Sequence, residues 1–305
     1  MRVLVTGASG FVGRHLIREL LKNNHEIVAF DMAFQSPIDG VDQQFTGDIM
    51  DAECLEKVTA STKPGACVHL GAISFAPSGK NNAPKMFAVN VVGTLNVLEA
   101  FRKGAPSARI LVISTAHVYG RAASDRPVEE DSPLTPAGMY AISKAAADMA
   151  TMEYSKQYGM CNMVARPNNH IGPGQSSKFV IASFAQQLKE MRKNGAKGAI
   201  HAGNMDSVRD FTDVRDIVVA YRLLLEKGHA GKAYNISSNN LLTIKTVFDE
   251  LCRLANIKPE VITDKERFRP TDSSPVLDVR RIRADTGWKP QIPFTKTLED
   301  ILAEF

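Results

Sequence analysis

Apolar residues fall into two alternating textures along the first half of the chain. Short β-branched runs at Val3–Thr6, Ile27–Asp31, Cys67–Leu70 and Ile110–Ser114 are bounded by polar or turn residues and predict buried strands. Between them the apolar spacing predicts helices over Phe11–Lys22, Asp51–Thr59 and Pro84–Arg102. A further helix is expected from Met139 to Tyr158, leading into a strand at Asn162–Arg166. Continuous apolar strands separated by helices imply a parallel sheet covered on both faces. Right-handed crossovers then make it a doubly wound, Rossmann-type α/β sheet.

After Arg166 the texture changes. The run RPNNHIGPGQ is followed by a helical stretch from Phe179 to Lys193 and a loop holding Gly195, Gly198 and Gly203. Val214–Glu226 is strongly apolar at helical spacing, and Ala233–Ile236 has the character of a sheet strand. The expected organisation is a dinucleotide-binding domain at 1–166 and a smaller C-terminal α/β substrate-binding domain at 167–305. Parts of the latter, about 213–237, return to the Rossmann sheet.

Composition narrows the class. Hydrophobic residues at 44% and charged residues at 23% exclude a disordered or fibrous chain. The net charge of +4 is scattered, so no nucleic acid is required and a small anionic substrate fits. The cysteines, Cys54, Cys67, Cys161 and Cys252, show no metal-ligand spacing. The N-terminus has no leader pattern and no apolar run approaches the ~20 residues that span a bilayer. A cytoplasmic enzyme with no metal and no membrane partner is expected.

Two constellations carry chemistry. Gly7-Ala8-Ser9-Gly10-Phe11-Val12-Gly13 lies between the first strand and the first helix. There a tight turn and a helix N-terminus suit a pyrophosphate. Asp31, ending the second strand, suits a ribose 2′-hydroxyl, which favours NAD with NADP as the alternative; Arg14 softens that preference. Tyr140-Ala-Ile-Ser-Lys144 sets a phenol and an ammonium on one helix face, where Lys⁺ would draw the phenol towards neutrality as an acid/base. Alone, such a pair also describes a surface helix turn. Ser114 and Thr115 close the strand before it, where ligands bind in such sheets.

The GxxGxxG spacing and the matches that follow it resemble the extended branch of the short-chain dehydrogenase/reductase superfamily over essentially the whole chain. That resemblance implies cofactor contacts from Gly7, Gly10, Phe11, Val12 and Gly13, and from Asp48 and Ile49 in the acidic turn Gly47-Asp48-Ile49. It adds Leu70, Gly71 and Ala72 at a strand end, and Asn90 as a structural residue of the central helix. It implies Thr115, Tyr140 and Lys144 as the catalytic set, with the last two also touching the cofactor. Asn169 and Arg209 are then expected at the diphosphate of a nucleotide sugar, and Arg269 with Asp272 as a second clamp. Asn168 departs from the Phe usual at its position.

Within the branch, RPNNHIGPGQ, Lys178-Phe179-Val180 and the late RPTD and GWKP runs are most similar to GDP-4-keto-6-deoxy-D-mannose reductases, with GDP-mannose 4,6-dehydratases as close relatives. Lys178 and Val180 are accordingly expected at the substrate. The implied activity is NAD(P)H-dependent reduction of the 4-keto group of a nucleotide-diphospho-6-deoxyhexose, with a GDP-sugar favoured. Dehydratases of the branch carry a Glu two residues after the active-site Thr, where this chain has His117, expected to face the substrate. The alternatives are a 4-epimerase or 4,6-dehydratase with tightly bound NAD, or a non-enzymatic dinucleotide sensor on the same fold. Relatives pair two long helices across a two-fold axis, which implies a homodimer.

Overall fold

A computed structural model describes residues 1–41, 43–74, 82–120, 126–195, 198–264 and 274–304. The first half alternates as the apolar pattern requires: β1 (Arg2–Thr6), α1 (Phe11–Lys22), β2 (Glu26–Asp31), β3 (Gln43–Thr46), α2 (Ala52–Thr62) and β4 (Ala66–His69). There follow α3 (Ala83–Phe87), a π-helical turn (Ala88–Val92), α4 (Gly93–Gly104), β5 (Arg109–Ile113), a 3-10 turn (Ala116–Tyr119), α5 (Met139–Tyr158) and β6 (Cys161–Pro167). The single helix expected over Pro84–Arg102 is therefore interrupted. The π turn takes in one extra residue and turns the Asn90 side chain onto the loop at Ile73 and onto α5, with bonds of 2.7 and 3.1 Å to Ile73 N and O.

The second half runs β7 (Asn169–Ile171), α6 (Val180–Lys193), β8 (Ala199–Ala202), β9 (Val208–Asp213), α7 (Val214–Lys227), β10 (Lys232–Ile236), β11 (Leu241–Thr243), α8 (Ile244–Ala255), β12 (Glu260–Thr263), α9 (Arg280–Thr286) and α10 (Phe294–Glu304). Seven strands pair in parallel in the order β10-β6-β5-β4-β1-β2-β3. The chain reverses direction across this sheet between β1 and β4, the crevice at which doubly wound sheets bind dinucleotides. Apart from it, β7, β9 and β11 form a three-stranded sheet, and β8 pairs with β12.

Three apolar cores hold these layers. One packs α1 and α7 on one face of the large sheet, around Leu16, Ile17, Tyr221 and Leu224. The opposite face is covered by α2 and α4, through Leu55, Leu98 and Phe101. The third fills the space under α6, α8 and α10, around Phe184, Phe248 and Leu251. Trp288 joins the first core and donates from Nε1 to the Asp216 carbonyl at 2.9 Å, anchoring the segment before α10. A buried fork from Arg166 on β6 grips Asp148 on α5 at 2.7 and 2.8 Å, fixing that helix to the sheet.

Candidate active site

The turn after β1 is packed on itself so closely that only glycine fits. Gly7 has φ +71°, and a Cβ there would lie 2.9 Å from Gly71 N; a Cβ on Gly13 would lie 2.3 Å from the Gly7 carbonyl oxygen. The first intrahelical bond of α1 is made by Arg14 N to Gly10 O at 3.1 Å. The N–H groups of Phe11, Val12 and Gly13 precede it and lie at the positive end of the helix dipole. This glycine cradle fits a dinucleotide pyrophosphate.

Around the cradle, Asp31 ends β2 and accepts from Ser9 N and Ser9 Oγ, both at 2.8 Å. Asp48 caps its own turn by accepting from Met50 N at 2.9 Å, and Ile49 O is held by Asn96 Nδ2 at 3.0 Å. Leu70 N and Gly71 N bond Thr6, through its carbonyl at 3.1 Å and its hydroxyl at 3.2 Å; Ala72 follows in the same strand-end loop. β4 stops at His69, one residue before the expected Leu70, because the backbone turns here towards Gly7.

The ends of β1, β4, β5 and β6 share one edge, since Thr6 pairs with His69, His69 with Val112 and Ile113 with Ala165. Thr115 follows β5 at that edge, buried, and its hydroxyl accepts His117 N at 3.3 Å to cap the 3-10 turn. The turn packs against α5, whose first turns bear Tyr140 and Lys144. The neighbouring Ser114 hydroxyl is buried without a hydrogen-bond partner among the described residues.

Burial pushes the Tyr140 phenol up to about 12 and the Lys144 ammonium down to about 8, with Asp148 pulling Lys144 partly back. Desolvation sets the direction at Tyr140, upward, where a lowering by Lys144 was expected. With its phenol raised, Tyr140 carries its proton across the physiological range.

Beyond this edge, Asn169 opens β7 and donates from Nδ2 to Ser274 Oγ at 3.0 Å. Arg209 lies half-buried on the adjacent β9, close to Phe211, the residue paired with Asn169. Lys178 and Val180 are exposed at the start of α6. Arg269 and Asp272 lie outside the described residues. His170 is a local bonder, its Nδ1 at 3.2 Å from Asn168 O and its ring stacked on Phe11.

Several contacts had no sequence signal. The partners Ser9 and Asp31, and Thr6, His69 and Thr94, meet only once β1 pairs with β2 and β4 and α4 packs on the sheet. Arg18 joins Arg14, which the sequence already set against Asp31, on the rim of a cavity of about 650 Å³ that also borders Ser9 and Asp31.

The sequence profile of the GDP-mannose 4,6 dehydratase family matches residues 4–301. The chain is 33% identical to the GDP-6-deoxy-D-mannose reductase of Pseudomonas aeruginosa, over 100% of this chain and 97% of that protein. Among solved structures it is similar to RMD from Pseudomonas aeruginosa complexed with NADPH, with TM-score 0.87 and 32% identity over 99% of this chain and 98% of that one. It is similar too to the UDP-glucose 4-epimerase of Thermus thermophilus in complex with NAD, with TM-score 0.88 and 28% identity over 100% and 98% of the two chains.

Proposed function

This chain belongs to the GDP-mannose 4,6-dehydratase family of the extended short-chain dehydrogenases/reductases, and on that premise we propose that it reduces the 4-keto group of GDP-4-keto-6-deoxymannose. The product is a GDP-6-deoxyhexose such as GDP-rhamnose. The observation that carries the proposal is the state of the strand end. His117 occupies the position two residues after Thr115 where the branch's dehydratases carry a Glu, while Tyr140 and Lys144 stand on one face of α5 to serve a reduction.

The glycine cradle, Asp31, Asp48, Ile49 and the Leu70-Gly71-Ala72 strand end would hold NADPH or NADH, which supplies the hydride when bound. As C4 of the sugar takes the hydride, Tyr140 gives its phenolic proton to O4. The Lys144 ammonium stabilises the phenolate left behind, and the Thr115 hydroxyl hydrogen-bonds the reacting oxygen. Asn169 and Arg209 hold the diphosphate, for which a guanidinium fork is suited. Incubating the protein with GDP-4-keto-6-deoxymannose and reduced dinucleotide tests this: a 6-deoxyhexose forms with stoichiometric loss of the dinucleotide, whereas an epimerase would consume none.

Assembly as a homodimer belongs to the same proposal. It is supported by exposed apolar side chains along the π turn and α5, with Val92, Ile142, Met149 and Tyr158 between 38% and 62% exposed. A monomeric mass by light scattering would reject it. A cytoplasmic location is supported by four free cysteines. Among the described residues no helix is long and apolar enough to cross a membrane.

A further inference from the structure

A line of buried hydrogen bonds joins the dinucleotide turn to the helix of Tyr140 and Lys144. Thr6 ends β1, His69 ends β4, Asn90 lies in the π turn, Thr94 on α4 and Ser143 on α5, and each is at most 2% exposed. Donor and acceptor chemistry orients every bond. The Asn90 carbonyl can only accept, so the Thr94 hydroxyl donates to it, at 2.7 Å. The Thr94 oxygen is then the acceptor for His69 Nε2–H at 3.0 Å. Nδ1 is left bare and accepts the Thr6 hydroxyl at 2.7 Å, while the Thr6 oxygen takes the Gly71 N–H at 3.2 Å. From the other end, Asn90 Nδ2 donates to Ser143 Oγ at 3.0 Å, and Ser143 donates to the Tyr140 carbonyl at 2.8 Å.

Every group on this line is satisfied, and none needs to be charged. Burial, reinforced by the Lys144 charge, drives the His69 imidazole down to about 3, so it stays neutral. Its far end is the wall of the cofactor seat, because Gly71 backbone is what a Cβ on Gly7 would strike. Its near end is the carbonyl of the residue that moves the proton.

We infer that Thr94 and neutral His69 are positioning residues, which hold the Tyr140 turn of α5 in register with the Gly7–Gly71 seat of the dinucleotide. Hydride and proton transfer need both partners placed to a fraction of an ångström, and a shift of 1 Å can cost about 100-fold in rate. Removing the Thr94 hydroxyl would leave His69 Nε2–H without its acceptor in the interior and cut its link to the Asn90 carbonyl, so the imidazole would seek a new partner at the expense of that register.

Thr94→Val deletes the hydroxyl at nearly constant shape, and Thr94→Ser keeps it. In folded protein, Thr94→Val is expected to lower kcat by about ten-fold or more, while the dissociation constant for NADPH moves less than about three-fold and Thr94→Ser restores most of the rate. Ser143→Ala cuts the line at its other end and should give a similar kcat loss, and it carries the test alone if Thr94→Val does not fold. The double variant should lose no more than the worse single one, as members of one network do. Wild-type kcat in either folded single variant, or additive losses in the double, overturns the inference.

The inference rests on the reductase reading, so a second measurement avoids turnover. In ¹⁵N-histidine-labelled protein, His69 should be the neutral Nε2–H tautomer from about pH 5 to 9. A proton on Nδ1, or titration in that range, overturns the positioning line whatever the enzyme reduces. The expected tautomer in a protein that fails to reduce the keto sugar supports the line and overturns the reductase reading alone.

Discussion

Asp31 is closed onto Ser9, with one carboxylate oxygen accepting both the backbone N–H and the hydroxyl of Ser9 at 2.8 Å. Its other oxygen accepts Met32 N at 2.7 Å. The carboxylate is therefore held by Ser9 of the glycine turn and by Met32 N, and it keeps its negative charge towards a 2′-phosphate. Arg14 and Arg18, one helical turn apart, border the same cavity. The preference for NAD expected from Asp31 alone is weakened by this arrangement. Arg14→Ala is expected to lower kcat/KM with NADPH by about ten-fold, as loss of a charge-assisted bond of about 1.5–3 kcal/mol requires, and to leave NADH nearly untouched. Parallel kinetics with the two dinucleotides check it, and equal losses would remove Arg14 from 2′-phosphate binding.

Tyr140→Phe removes the proposed proton donor while keeping the ring. Turnover should fall by about 100- to 10,000-fold, the range a positioned acid contributes, with dinucleotide affinity close to wild type. Titration of the variant with NADPH alongside its rate separates the two effects. Substantial remaining activity would take the acid role away from this phenol.

The pH profile follows from Lys144. Burial lowers its ammonium to about 8, so the charge proposed to stabilise the developing phenolate is present below that value and lost above it. For reduction, kcat should be level up to about pH 8 and then fall by about ten-fold per unit as the ammonium is lost. A profile that rises above pH 8 contradicts the assignment, because it would require a deprotonated group.

Arg209→Ala should weaken the nucleotide sugar and spare the dinucleotide. A guanidinium–diphosphate contact is charge-assisted and worth about 1.5–3 kcal/mol, so KM for the sugar should rise at least about ten-fold. Calorimetric titration with each ligand separately checks this; equal weakening of both would mark a folding defect instead.

How much of this was legible in the chain depends on the range of the interaction. The glycine turn and the Tyr140–Lys144 pair were readable because each is a local constraint: a turn that excludes Cβ atoms, and one turn of one helix. The strand Gln43–Thr46 was not, because it is a short sheet edge of mostly polar, incompletely buried residues and lacks an apolar run. The π turn at Ala88–Val92 escaped because one extra residue barely disturbs a 3.6-residue apolar period. The His69 line was hidden for a different reason. Its partners Thr6 and Thr94 stand 63 and 25 residues away, so only the pairing of β1 with β4 and the packing of α4 on the sheet bring them together. The upward direction of the Tyr140 shift was not readable from the motif, since spacing reports the Lys144 charge but not the burial of the phenol.

The central claim is tested most directly by following the hydride itself. The protein is incubated with GDP-4-keto-6-deoxymannose and dinucleotide deuterated on the transferred position of its nicotinamide C4, and the isolated sugar is analysed by NMR and mass spectrometry. The expected result is one deuterium on C4 of a 6-deoxyhexose, with one dinucleotide oxidised for each sugar formed. A sugar without deuterium at C4, or unchanged dinucleotide, would contradict reduction at that carbon.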